Sequence, residues 1–263
     1  MRAVVIGASS GLGRCIGTGL ARRGADVALL ARRQDRLEGA VKEAGDRAVA
    51  ITCDVTDEAS CRAAIDEAAA SLGGIDAFVY TPAIGPLAKL VDTDAETWRR
   101  VFDTNVTGAA IATAAAVPHL GATAGRAVYL SSVSASQTPP WPGLGSYAVS
   151  KAALDKLVEA WRGEHPTIGF TRMVVGDCIG GEGERQTEFA NGWDAEVAAE
   201  VAPVWVEKGY IAGSFIDVED LVGVVDSVLR CGASVQMPSI VLSPRAGVLD
   251  SVEAAMNRFE EHP

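Results

Sequence analysis

Tyr147 and Lys151 stand four residues apart in Tyr147-Ala148-Val149-Ser150-Lys151, inside a helical pattern that runs to about Arg162. That spacing sets phenol and ammonium on one face of the helix. A neighbouring ammonium favours tyrosinate, which lowers the phenol pKa toward the range where it exchanges protons near neutrality. Such pairs are common on solvated helix faces, so the surroundings decide. Ser131-Ser132 follows an apolar run upstream, and a serine hydroxyl there can hydrogen-bond a substrate oxygen as it gains or loses negative charge.

A second chemical signal lies at the start of the chain, in Gly7-Ala8-Ser9-Ser10-Gly11-Leu12-Gly13. Gly7, Gly11 and Gly13 allow a tight turn and a close backbone approach, and Ser9, Ser10 and Leu12 complete a loop whose amides can hold a diphosphate. The helix that follows would add its positive dipole end. The next strand ends at Leu30-Ala31-Arg32-Arg33, with no acid where ribose hydroxyls would need one. Guanidinium can grip a 2′-phosphate, so Arg32 and Arg33 point to NADP(H) rather than NAD(H). After the third strand, Asp54-Val55 could cap an adenine, the carboxylate facing its amino group.

These groups need a frame. Apolar runs of strand length (Ala3–Ile6, Asp26–Leu30, Ala48–Ile51, Ala77–Tyr80, Ala127–Leu130, Arg172–Val175 and Ser239–Leu242) alternate with amphipathic helix-length segments, including about Leu12–Arg23 and 217–230. The strands are continuously apolar, as when helices cover both faces of a sheet. The expected fold is therefore α/β, a Rossmann-type doubly wound parallel sheet of about seven strands, forming one domain over 1–263. An excursion over 176–214 breaks the rhythm. It opens with glycines and carries Phe189, Trp193 and Trp205, which reads as a lid.

Composition excludes several classes. The 263 residues carry a net charge of -11 and no basic run, which argues against nucleic acid and anionic membranes. The sequence is read as holding no apolar run of about 18 residues, so no membrane span is expected. A strand pattern starting at Ala3 leaves no room for a signal peptide, and five scattered cysteines fit reduced thiols in a cytoplasmic protein. Three histidines without zinc-ligand spacing give no expected metal site.

Taken in order, Gly7-x-x-x-Gly11-x-Gly13, Asp54-Val55, Asn105, Ser132 and Tyr147-x-x-x-Lys151 resemble the single-domain branch of the short-chain dehydrogenase/reductase superfamily, to about Leu242. The resemblance implies that Tyr147 is the general acid/base and that Ser132 orients the carbonyl. It makes Lys151 the residue that binds the nicotinamide ribose and lowers the Tyr147 pKa. Asn105 would hold a water linking Lys151 to solvent. The reaction implied is hydride transfer between NADP(H) and a carbonyl or secondary alcohol.

Three departures stand out. Tyr80-Thr81-Pro82-Ala83 replaces Asn-Asn-Ala-Gly at a turn that lies against the cofactor, so Thr81, Pro82 and Ala83 become its contacts. Gly176-Asp177 replaces Pro-Gly, and the Asp-Gly-Gly tail of tetrameric members is absent in favour of a helix-like tail to Glu261. A homo-oligomer, dimer or tetramer, is expected. Trp141, Leu144, Phe189, Trp193, Val204, Trp205, Tyr210, Ile211 and Phe215 would line a pocket for an apolar ketone. The competing expectation is a non-catalytic dinucleotide-binding redox sensor or scaffold.

Overall fold

The structure is a computed structural model and describes residues 1–211 and 213–245. Seven strands form one parallel sheet in the order β3-β2-β1-β4-β5-β6-β7. They are β1 (Arg2–Ile6), β2 (Asp26–Ala31), β3 (Ala48–Thr52), β4 (Ala77–Tyr80), β5 (Arg126–Ser132), β6 (Gly169–Val175) and β7 (Ser239–Leu242). Helices α1 (Gly11–Arg22), α2 (Gln34–Ala44), α3 (Glu58–Leu72), α4 (Ala95–Phe102) and α5 (Gly108–Thr123) connect the first five strands. A π turn over Asp103–Thr107 joins α4 to α5. Then come α6 (Val133–Ser136), α7 (Gly145–Glu164), α8 (Ala195–Glu207) and α9 (Val218–Leu229).

Pleating divides each strand between two cores. In β1, Ala3 and Val5 pack with Ile16, Leu20, Leu37 and Leu221 from α1, α2 and α9. Val4 and Ile6 pack on the other face with Ile65, Ala112 and Leu154 from α3, α5 and α7. This is why the strands read as unbroken apolar runs. The edges differ from that expectation. β7 alternates exposed and half-buried residues, with Ile240 and Leu242 packed on the first core, because helix cover reaches it on one side; β3 touches both cores through Ala48 and Ile51 but leaves Val49 and Thr52, on opposite faces, exposed at the sheet's other edge.

One further reading changes. Residues 106–123 contain no Asp, Glu, Lys or Arg, and the continuous helix Ala95–Thr123 is long and apolar enough by length and composition to cross a membrane. Its 18-residue apolar window is 39% buried, with Ala109, Ala112, Ala116 and Leu120 in the second core. Its apolar content is mostly alanine, which is easily overlooked as a hydrophobic run. The excursion has regular structure of its own. It contains α8, and Val201 and Trp205 form a third core with Leu87 and Leu144. The helix-like tail expected to Glu261 lies outside the described residues.

Candidate active site

The glycine loop leaves β1 at Gly7, whose φ of +86° suits glycine. The β4 turn locks into it. Thr81 Oγ1 donates to the Ile6 carbonyl at 2.6 Å, and a Cβ on Gly7 would fall 2.3 Å from that hydroxyl. A Cβ on Gly13 would fall 2.3 Å from the Gly7 carbonyl and 2.4 Å from Thr81 Oγ1. The first and third glycines are therefore needed to seat α1 on the sheet, while Ser9 and Ser10 project between them. Pro82 and Ala83 are half-buried beside the loop. Leu12, half-buried, packs on the first core.

The two arginines after β2 part company. Arg33 reaches the loop, where its Nη2 donates to Ser9 Oγ at 3.1 Å and Ser10 Oγ at 2.8 Å. Arg32 is exposed and lies toward Asp54, whose carboxyl it helps hold down. Arg36, one turn along α2, joins Arg33 by pairing with the same carboxylate, that of Glu188. Sequence reasoning missed Arg36, although its helical spacing from Arg33 was available. At the third strand, Asp54 Oδ1 accepts from Thr56 N at 3.0 Å and Thr56 Oγ1 at 2.8 Å, closing a local turn, and Val55 is buried.

Ser132, Tyr147 and Lys151 meet where β5 ends against α7. Ser132 caps α6, its Oγ accepting from the Ser134 amide at 3.2 Å. Lys151 is almost wholly buried; its Nζ donates to the Leu130 carbonyl at 2.7 Å and lies 5.8 Å from the Tyr147 ring centre. Burial pushes this ammonium down to about 8, against the pull of Asp155 one turn further along α7. Burial pushes the Tyr147 phenol up to about 12, while its hydrogen bond with Ser132 favours the phenolate. This reverses the expected direction for Tyr147. The Phe189 ring packs edge-on against it at 4.8 Å, and the Lys151 ammonium is turned to a main-chain carbonyl, so desolvation prevails.

Asn105 sits in the π turn, fully buried. Its Oδ1 accepts from Ile84 N at 2.8 Å, and its Nδ2 donates to Ile84 O and Ser150 Oγ, both at 2.9 Å. Both amide donors are thus committed to protein partners. The side chain staples the β4 turn to α7, leaving no amide N–H free to donate to the water expected there. Tyr80, in place of the family's asparagine, is fully buried and donates to the Thr104 carbonyl at 2.6 Å.

The expected substrate-lining aromatics pack mainly on each other. Trp141 stacks with Tyr210 at 5.8 Å and meets Trp205 at 5.4 Å, while Trp193 joins Phe189 and Trp205. Trp193 Nε1 donates to Gly85 O at 2.8 Å and Trp205 Nε1 to Pro142 O at 2.9 Å. They form the core of the excursion, and among them Phe189 is the ring in contact with Tyr147.

The short chain dehydrogenase family model matches residues 1–176, and the chain belongs to that family. Relatives of this chain are named as dehydrogenases and reductases. It is 33% identical to cis-4-hydroxycyclohexanecarboxylate dehydrogenase of Sinomonas cyclohexanicum, over 76% of this chain and 79% of that protein. It is 31% identical to glycine betaine reductase ATRR of Emericella nidulans over 92% of this chain, which spans only 18% of that protein. Two other curated relatives are matched over 57% and 51% of their lengths. The alcohol dehydrogenase from the archaeon Thermococcus sibiricus, solved with 5-hydroxy-NADP, shares the fold with a TM-score of 0.77 at 22% identity, covering 95% of this chain and 98% of that one.

Proposed function

We propose that this chain is an NADP(H)-dependent oxidoreductase that interconverts an apolar ketone and a secondary alcohol. The observation that carries the reading is the meeting of Ser132, Tyr147 and Lys151 at the end of β5, next to the glycine loop. The cradle fits a dinucleotide: Gly7 and Gly13 have no room for a Cβ, and Ser9, Ser10, Arg33 and Arg36 gather anion donors at its rim. When bound, the nicotinamide supplies or accepts the hydride. Gly7 and residues 9–13 hold the diphosphate, Arg33 and Arg36 take the 2′-phosphate, and Thr81, Pro82 and Ala83 wall the groove. Asp54 and Val55 border the adenine.

Ser132 Oγ fixes the substrate oxygen. Tyr147 Oη gives its proton to that oxygen in reduction and takes it back in oxidation. Lys151, once drawn from the Leu130 carbonyl to ribose hydroxyls, brings its positive charge to bear on the phenol and lowers the cost of the phenolate. The relative that acts on a hydroxycyclohexane carboxylate supports a secondary alcohol carried on a ring. A homo-oligomer is part of the same reading, since the partly buried helix Ala95–Thr123 leaves apolar surface for a second copy.

Tyr147→Phe tests the mechanism. Turnover of a ketone panel with NADPH should fall by about 10²–10⁴-fold while NADPH affinity stays within about twofold. Wild-type turnover in this variant would overturn the assignment.

A further inference from the structure

The excursion after β6 folds back over the groove as a short strap. Gly180 and Gln186 form an antiparallel bridge, and Thr187 N–H donates to Ile179 O at 2.8 Å. Gly180 turns the chain at φ +85°, where a Cβ would stand 2.2 Å from the Arg185 carbonyl. The stem is pinned to α1 and α9. Arg14 pairs with Glu184, Cys15 Sγ lies 3.4 Å from Arg185 O, and Arg185 Nη2 donates to Glu219 Oε1 at 2.8 Å.

Beyond this stem, three consecutive residues fall on the parts of the groove already assigned to ligand. Thr187 covers the glycine loop, its Cα 3.2 Å from where a Cβ on Gly11 would be. Phe189 covers Tyr147. Between them, the Glu188 carboxylate accepts from Ser10 Oγ at 3.2 Å, pairs with Arg33 Nη2 at 2.8 Å and pairs with Arg36. Two guanidinium groups and a hydroxyl converging on one anion are the donors a phosphate monoester would also use.

We propose that Glu188 governs cofactor discrimination: its carboxylate and a phosphate on the adenosine ribose 2′ oxygen are mutually exclusive occupants of the Ser10–Arg33–Arg36 site. The inference rests on the NADP(H) reading of Arg33 and Arg36. Thr187 and Phe189 are the chain neighbours of Glu188, so evicting it also lifts the backbone from Gly11 and the ring from Tyr147. Recognition of the 2′-phosphate and uncovering of the acid/base are then one movement. Burial would raise the Glu188 carboxyl, but hydrogen bonds from Arg33 and Arg36 prevail and hold it down to about 2. It therefore remains an anion at working pH and leaves by competition, not by protonation.

Calorimetric titration of the full chain with adenosine 2′-monophosphate tests this without turnover. Glu188→Gln should bind it about three- to tenfold tighter than wild type, the range expected when a partly exposed ion pair no longer competes. Adding Arg36→Ala to Glu188→Gln should cancel the gain. If Glu188→Gln binds no tighter while the added Arg36→Ala still weakens binding, the competition is refuted and the phosphate site stands. If neither change alters affinity, the NADP(H) reading of these arginines fails and the role of Glu188 fails with it.

Discussion

Replacing Asn105 with alanine removes three hydrogen bonds at once from a fully buried side chain, to Ile84 N, Ile84 O and Ser150 Oγ. A net hydrogen bond is worth about 1 kcal/mol, and a buried partner left unmade costs more, so the loss should reach about 3–4 kcal/mol. The damage is also local. Ile84 precedes Gly85, whose missing Cβ is what lets Phe189 and Tyr147 approach, and Ser150 adjoins Lys151. Urea unfolding should show a lower midpoint with an unchanged slope. Steady-state kinetics at permissive urea-free conditions should show kcat falling further than the folded fraction does.

Asn105→Asp sharpens the same argument. It keeps an acceptor for Ile84 N but loses both donors and places a carboxyl in a dry site. Burial raises a folded-state carboxyl above its ordinary value of about 3.9, so the folded state holds the proton more tightly. The gap in stability from wild type should be smallest in acid and widen as pH rises from about 4 to 7. A loss below about 1 kcal/mol in the alanine variant, or a pH-independent gap in the aspartate variant, would refute the staple.

Other expectations follow from the same geometry. Arg33→Ala should weaken NADPH by about tenfold or more relative to NADH, whereas Arg32→Ala, altering an exposed side chain, should change the two cofactors about equally; fluorescence titration separates the cases. A larger NADPH-specific effect at Arg32 would reverse the assignment. Phe189→Ala should rehydrate the Tyr147 phenol and bring it down from about 12 toward its ordinary value of about 10, seen as tyrosinate absorbance developing at lower pH than in wild type. The same signal must vanish when Tyr147→Phe is added. If it persists, another phenol is titrating.

Much of this protein is legible in one dimension because the signals are local. Tyr147 and Lys151 are one helical turn apart, and the strands from Ala3 to Val175 announce double-sided burial by their composition. Gly7 and Gly13 are spaced to seat α1, and tertiary contact with Thr81 supplies the reason: a side chain at either position would meet its hydroxyl. Edge strands and the alanine-rich α5 were less legible, since exposure on one face depends on which helices arrive there.

What the sequence determined by itself was the α/β frame, the loop that can approach a diphosphate, and the one-turn spacing of Tyr147 and Lys151 on one helix. Tertiary structure decided how those residues stand. It gathered Arg33 and Arg36 on the Glu188 carboxylate and left Arg32 exposed, turned the Lys151 ammonium to Leu130 O, raised the Tyr147 phenol beneath Phe189, and committed the Asn105 amide to Ile84 and Ser150. It also brought Glu188 to Arg36 across 152 residues of chain. No periodicity encodes such a pair: charges so far apart in sequence meet only when the sheet, the helix behind it and the returning strap are all in place.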